Sequence, residues 1–284
     1  MPRCAPSSVI SRLLPLVLLL GACVGAAERD ELPIFDAHVH YSSGAWGDYP
    51  VAEVKRLFDE NGVRWVLVSS SPVAGTQSLL AADPGRVIPA IRPYYGVVGI
   101  DNWIGHERSL QYLEAWLGKH RFVAIGEFHV LTERDRDRDF LAGVVALARK
   151  HEVLLHVHAD AAAVDMLYDI DAEVGILWVH AGMVDPVEVV EATMARYPTL
   201  HADLSFREDA IAPGGRLAPR WRALLLRFPD RFLVGSDTYA NFQWQAYEDL
   251  IRINRNWLAQ LPEPARSAIA YRNGLRLFGL KIRE

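Results

Sequence analysis

The sequence predicts an α/β chain folded as a (β/α)₈ TIM barrel. Eight apolar, strand-like runs start roughly 22 to 35 residues apart, enough for one strand, one helix and two loops each. The runs are nearly continuous rather than alternating, as expected of parallel strands covered on both faces. Helical patterns fill the intervals between them. A doubly wound open sheet is the alternative. No Gly-x-Gly-x-x-Gly follows the first run, which weakens its dinucleotide-binding version.

The chain opens with a segment that does not belong to the barrel. Arg3 and Arg12 precede the apolar run Leu13–Leu20, and small residues follow, so residues 1–27 read as a secretory leader and linker. The run is too short for a spanning helix. Leu20-Gly21-Ala22-Cys23 resembles a bacterial lipobox. That resemblance implies lipid on Cys23 and a protein anchored in the outer membrane, facing the periplasm. Val24 rather than an aspartate follows the cysteine, in line with that sorting. Cleavage after Ala26 is the alternative. Residues 28–284 then make one barrel domain. Cys4 and Cys23 are the only cysteines, so the barrel has no disulfide, thiolate metal site or cysteine nucleophile. The net charge of −5 and the lack of a Lys/Arg-rich run argue against a nucleic-acid partner and leave a small-molecule substrate.

The strand-like runs are Ile34–His40, Trp65–Ser70, Val87–Arg92, Phe122–His129, Val153–His158, Gly175–His180, Leu200–Ser205 and Phe232–Asp237. Helical spacing marks Tyr49–Asn61, which stops at Gly62, then Leu110–Lys119 and Asp139–Lys150. Asp185-Pro186 opens another helix, with the aspartate as cap and the proline in the first turn. Pro219–Arg227, Gln245–Leu258 and Glu263–Phe278 complete the set. The alternating charges of Glu133–Asp139 read as a solvated loop.

In such a barrel, chemistry gathers at the C-terminal ends of the strands. The first run ends in His38 and His40, which share a face because they lie two residues apart. Glu127 ends the fourth, His156 and His158 the fifth, His180 the sixth and Asp237 the eighth. Buried together, these groups would cost several kcal/mol without partners, and a divalent cation supplies one. Nitrogen and oxygen donors of this kind suit Zn²⁺ first, with Mn²⁺ or Fe²⁺ as alternatives, as one or two ions. His158 is preferred to His156 as ligand because it lies nearer the strand end. Arg92 and Tyr94 after the third run, and Arg207 after the seventh, are placed to contact an anionic substrate group. Trp46 and Trp244 lie in loops at the same end, and His129 lies at the rim.

The ordered set Asp36-Ala-His38-Val-His40, His158, His180 and Phe232-Leu-Val-Gly-Ser-Asp237 resembles the amidohydrolase superfamily, in its amidohydrolase-related branch. The resemblance spans nearly the whole barrel. It implies that His38, His40 and Asp237 hold a first metal and that His158 is the next ligand. It assigns His180 to a second metal, or to proton handling when there is only one. Glu127 departs from the mononuclear decarboxylases of that branch. It is similar to the strand-four glutamate of TatD-like hydrolases, which bridges two metals. The implied activity is hydrolysis of an ester, lactone or amide of a small anionic substrate, with Asp237 and His180 catalytic. The alternatives are a nonoxidative decarboxylase and a lipoprotein that binds metal or ligand without turnover.

Overall fold

The computed structural model describes residue 1 and residues 32–106, 108–130 and 137–281. The leader, with Cys23, and most of the charged segment after residue 130 lie outside the described residues. Residues Leu32–Glu284 form one compact unit. Eight strands run in sequence order, each parallel to the next: β1 (Ile34–Val39), β2 (Val63–Val68), β3 (Val87–Ile91), β4 (Ala124–Val130), β5 (Leu154–Ala159), β6 (Ile176–Trp178), β7 (His201–Asp203) and β8 (Phe232–Leu233). Backbone bonds from Ala37 N to the Val234 carbonyl (2.9 Å) and from Asp237 N to the His38 carbonyl (2.7 Å) join the last strand to the first. The architecture is the (β/α)₈ barrel that the spacing of the runs predicts.

The helices are α1 (Val51–Glu60), α2 (Ala74–Ala82), α3 (Ser109–Leu117), α4 (Arg138–His151), α5 (Ala161–Ile170), α6 (Val187–Arg196), α7 (Glu208–Ile211), α8 (Pro219–Arg227), α9 (Asn241–Gln245) and α10 (Tyr247–Leu258). The last expected helix is broken in two: α11 (Ala265–Ser267) and α12 (Asn273–Leu277) flank a widened turn over Ala268–Arg272. Asp185 does not cap α6. Its Oδ2 accepts from Ala161 N at the start of α5 (2.9 Å), and α6 begins after Pro186 with no side-chain cap.

The core has two layers. Ile34, Val39, Val66, Val68, Ile125 and Phe128 pack outward against helix residues such as Val54, Phe58, Leu79 and Val144. Phe35, Ala37, Leu67, Ile88, Ala90, Ala124, Leu177 and Leu233 fill the barrel interior, together with Leu275 of α12. The strand register shifts at three places, one of them at Ile34/Phe35 near the start of β1, and the other two bear on the site. Asp36 pairs with Val66 but Val39 with Val68, so three steps on β1 oppose two on β2. Gly126 pairs with His156 but Phe128 with Val157, so Glu127 is an extra residue. Both are bulges, which re-aim side chains. The first puts Ala37 and His38 on the inner side in succession, and the second does the same for Gly126 and Glu127. Gly126 allows this approach: its φ is +136°, and a Cβ there would lie 1.9 Å from the His156 carbonyl oxygen.

The runs read as the last three strands are longer than the strands themselves. His180, Phe206 and Asp237 have φ of +56°, +57° and +49°, left-handed values that take the chain out of the ladder. The polar strand ends therefore stand on turns just above the sheet.

Glu208 opens α7, and its Oε1 is buried without a hydrogen-bond partner. Burial raises its carboxyl from 4.5 to about 7. The folded state therefore holds a proton there that the unfolded chain releases above about 4.5. That contribution to stability is complete below 4.5 and is lost as pH rises to about 7. Glu208→Gln is expected to unfold at a higher temperature than the wild type at pH 8. A gain of roughly 1–2 kcal/mol, a few degrees, is expected there after allowing for partial solvation. The gap should close near pH 4.5. Parallel pH profiles for the two proteins in thermal unfolding would show that Glu208 does not titrate on folding.

Candidate metal centre

Four ligand atoms from three strand ends converge in the barrel mouth. His38 Nε2 and His40 Nε2 lie 3.0 Å apart. Glu127 Oε2 is 3.1 Å from His40 Nε2 and 3.8 Å from His38 Nε2. Asp237 Oδ1 is 3.3 Å from His40 Nε2 and 3.5 Å from His38 Nε2. All four residues are buried.

The outer nitrogens fix which tautomer each imidazole carries. His40 Nδ1 donates to the Ser69 carbonyl (2.5 Å). His38 Nδ1 faces Asp203 Oδ2 (3.3 Å) and Ser205 Oγ (3.2 Å). With both Nδ1 atoms donating outward and both rings neutral, both Nε2 atoms present lone pairs inward, beside two carboxylate oxygens. Four acceptors this close repel one another unless a cation lies among them. Asp237 Oδ1 is buried with no hydrogen-bond partner, which leaves a position for that cation. A carboxylate behind a ligating histidine is the usual arrangement at metal sites. The donor set therefore fits a divalent ion.

Burial pushes His40 and His180 down to about 3 and His129 to about 4, keeping them neutral as ligation requires. His38 differs: burial opposes its protonation, but Asp237 and Asp203 flank it and raise it well above its ordinary value. Metal binding would displace that proton. Burial raises the Asp237 carboxyl to about 7, and a cation at its Oδ1 would favour the anion.

Glu127 also faces a second group. Its Oε1 lies 3.1 Å from His158 Nδ1 and 3.7 Å from His129 Nε2. The two rings stack at 4.3 Å. His129 Nδ1 lies 2.8 Å from the Tyr94 hydroxyl, which also accepts the His129 backbone N–H (3.0 Å). These ligand atoms, like those of His38, His40 and Glu127 and those of His38, His180 and Asp237, are close enough to hold an ion. His180 stays apart from this group. Its Nδ1 faces the Ser205 carbonyl (3.0 Å) and hydroxyl (2.8 Å), and its Nε2 lies 3.6 Å from Asp237 Oδ2.

His38, His40, Glu127, His158, His180 and Asp237 are thus brought together. His156 lies deeper, bonded to Asp203 Oδ2 (3.3 Å) and edge-on to His38. Asp203, which orients His38, and Ser205 lie inside the seventh run, where the residue pattern shows only a strand. Their shared parity is the signal that could have found them. His129, read as a rim residue, lines the cavity and is a member of the second group.

The expected substrate contacts divide. Arg92 lines the cavity, but its Nη2 donates to Glu127 Oε2 (3.0 Å) and its Nε to the Glu127 carbonyl (3.1 Å). Tyr94 is buried beneath Arg92 and its hydroxyl is spent on His129. Arg207 does not reach the cavity. It stacks on Trp221 and donates to the Met183 and Asp185 carbonyls. Trp244 is a core residue packed among Tyr41, Tyr49, Phe58 and Tyr247, and Trp46 packs on Tyr41. The cavity, about 410 Å³, is lined instead by Ile100, Met183, Phe206 and Tyr239 above the histidines.

A family model described as "Amidohydrolase" matches residues 35–280. No curated protein matches the chain. Among solved structures, a TatD homologue from Escherichia coli K12 is 16% identical, covers 87% of this chain and 98% of its own, and has a TM-score of 0.61. A probable 2-pyrone-4,6-dicarboxylic acid hydrolase from Acinetobacter baumannii, with citric acid bound, is 15% identical over 87% and 99%, with a TM-score of 0.56. A dihydroorotase from Campylobacter jejuni is 12% identical over 88% and 84%, at 0.55.

Proposed function

The chain belongs to the amidohydrolase family, and on that premise we propose that this metal-dependent hydrolase cleaves an ester, lactone or amide bond of a small molecule. The convergence of four acceptor atoms, with Asp237 Oδ1 unpartnered, carries the reading. His38, His40, Glu127 and Asp237 would hold one ion. Glu127, His129 and His158 would hold a second. Histidine and carboxylate donors suit Zn²⁺, with Mn²⁺ and Fe²⁺ as the alternatives. A bound ion of this kind brings the pKa of water toward 7 and polarises a carbonyl.

The chain's own groups handle the proton. Asp237 stands between the ligand histidines and His180, with one oxygen toward each side. As a carboxylate it accepts a proton from the attacking water. His180, with Nδ1 held by Ser205, presents Nε2 to Asp237 Oδ2. There it faces the carboxyl as Asp237 passes that proton toward the leaving group. Arg92 keeps Glu127 in place from the cavity side.

The test is chelation followed by metal return, assayed on lactones, esters and N-acyl amino acids. The expected result is a loss of at least about a hundredfold without metal, restored by Zn²⁺, Mn²⁺ or Fe²⁺. A metal-free protein that retains full activity would refute the reading.

A further inference from the structure

Six described non-glycine residues have positive φ: Glu152, His180, Ala181, Met183, Phe206 and Asp237. Glu152 ends α4. The other five belong to the strand-end loops at the site, and four of them line the cavity. For His180 and Asp237 the strain accompanies chemistry. Met183 (φ 53°, ψ −77°) and Phe206 (φ 57°) carry no group that reacts. Strained backbone persists where the surroundings over-determine it, and it clusters at functional sites. What both residues contribute is an apolar side chain in the cavity wall.

The surroundings are visible. Arg207 ties its own loop to the Met183 loop through the Met183 and Asp185 carbonyls, braced by Trp221. The guanidinium expected to meet an anionic substrate thus builds the wall beside Phe206. The Phe206 ring stands edge-on to His180 (5.5 Å), Tyr239 lies 6.0 Å beyond it, and Phe242 lies 5.4 Å beyond that. Phe206, Tyr239 and Phe242 are 39%, 52% and 55% exposed, and Ile100 and Met183 line the same cavity as Phe206 and Tyr239. Among the described lining residues, Arg92 is the only Lys or Arg, and Glu127 already pairs with it.

We propose that the substrate is uncharged at its distal end and carries an aryl or medium-length alkyl arm, which lies along Met183, Phe206 and Tyr239 while the scissile carbonyl sits at the histidines. This rests on the hydrolase reading above and narrows its substrate class. The arm covers side chains that otherwise face water, and a carboxylate there would be desolvated against described lining residues whose one cation, Arg92, is already paired with Glu127.

Binding and turnover are read separately on the purified, metal-loaded full chain. Calorimetry compares octanohydroxamate with suberic acid monohydroxamate, which has the same length but ends in a carboxylate. The uncharged ligand is expected to bind at least about tenfold more tightly. Phe206→Gly should bring the ratio toward parity. Glycine adopts this φ freely, so the variant should unfold no lower than the wild type. Met183→Ser provides a second variant in the cavity lining with the same expected effect. Equal or tighter binding of the carboxylated ligand overturns the proposal, as does a preference unchanged in both variants. A p-nitrophenyl ester series from acetate to octanoate reports turnover on the same preparations. A binding preference without hydrolysis of any ester or lactone leaves the apolar wall standing and removes the hydrolase reading. Hydrolysis without the preference does the reverse.

Discussion

Asp237→Asn is expected to lower kcat by about a hundred- to ten-thousand-fold while leaving much of the metal bound. The backbone at Asp237 is fixed without its side chain: its N–H donates to the His38 carbonyl, and its own carbonyl accepts from Tyr239 N and Gln243 Nε2. Asparagine tolerates the left-handed φ of this position better than most residues. The substitution therefore keeps the fold, the shape and one oxygen. What it removes is a group that accepts a proton near neutral pH. His38, His40 and Glu127 still offer three ligand atoms. The loss should appear in kcat, with metal content measured on the same sample. A variant that keeps both its metal and its kcat would make Asp237 a structural residue.

Much of this site is readable from residue order. Near-continuous apolar runs, recurring eight times at barrel spacing, place His38, His40, Glu127, His158, His180 and Asp237 at one end of one barrel. What residue order does not carry is the pairing between strands. Neither bulge leaves a mark in the β1 or β4 sequence except Gly126, yet the bulges decide that Asp36 leaves the interior. Asp36 bonds Ser236 (2.6 Å) and Tyr247 (2.9 Å) instead. Asp203 is one polar residue within a strand by its sequence, and its importance comes from facing His38 across the barrel. The charge of Arg207 suggests an anion, but its partners are backbone carbonyls, which no composition reveals. Helix α2 carries little helical signal, because it consists largely of small and apolar residues with little contrast between faces.

His38→Ala is expected to remove both metal and activity. Of the four groups of described residues able to hold an ion, three include His38. Its Nε2 faces His40, Glu127 and Asp237, and its Nδ1 faces Asp203. Removal takes away a ligand and also strips the buried Asp203 of one of its partners, at a cost of about 1–3 kcal/mol in stability. A lowered melting temperature should therefore accompany the metal loss. His38→Asn, which keeps a polar group near Asp203 without the ligating nitrogen, separates the two effects. It should recover part of the stability and none of the metal.

Metal content of the wild type, Asp237→Asn and His38→Ala, purified side by side and measured by inductively coupled plasma mass spectrometry, tests the central claim most directly. The expected result is stoichiometric divalent metal in the wild type, much of it kept in Asp237→Asn and none in His38→Ala. Equal metal in all three, or none in a wild type that still hydrolyses its substrate, would contradict a catalytic metal at this cluster.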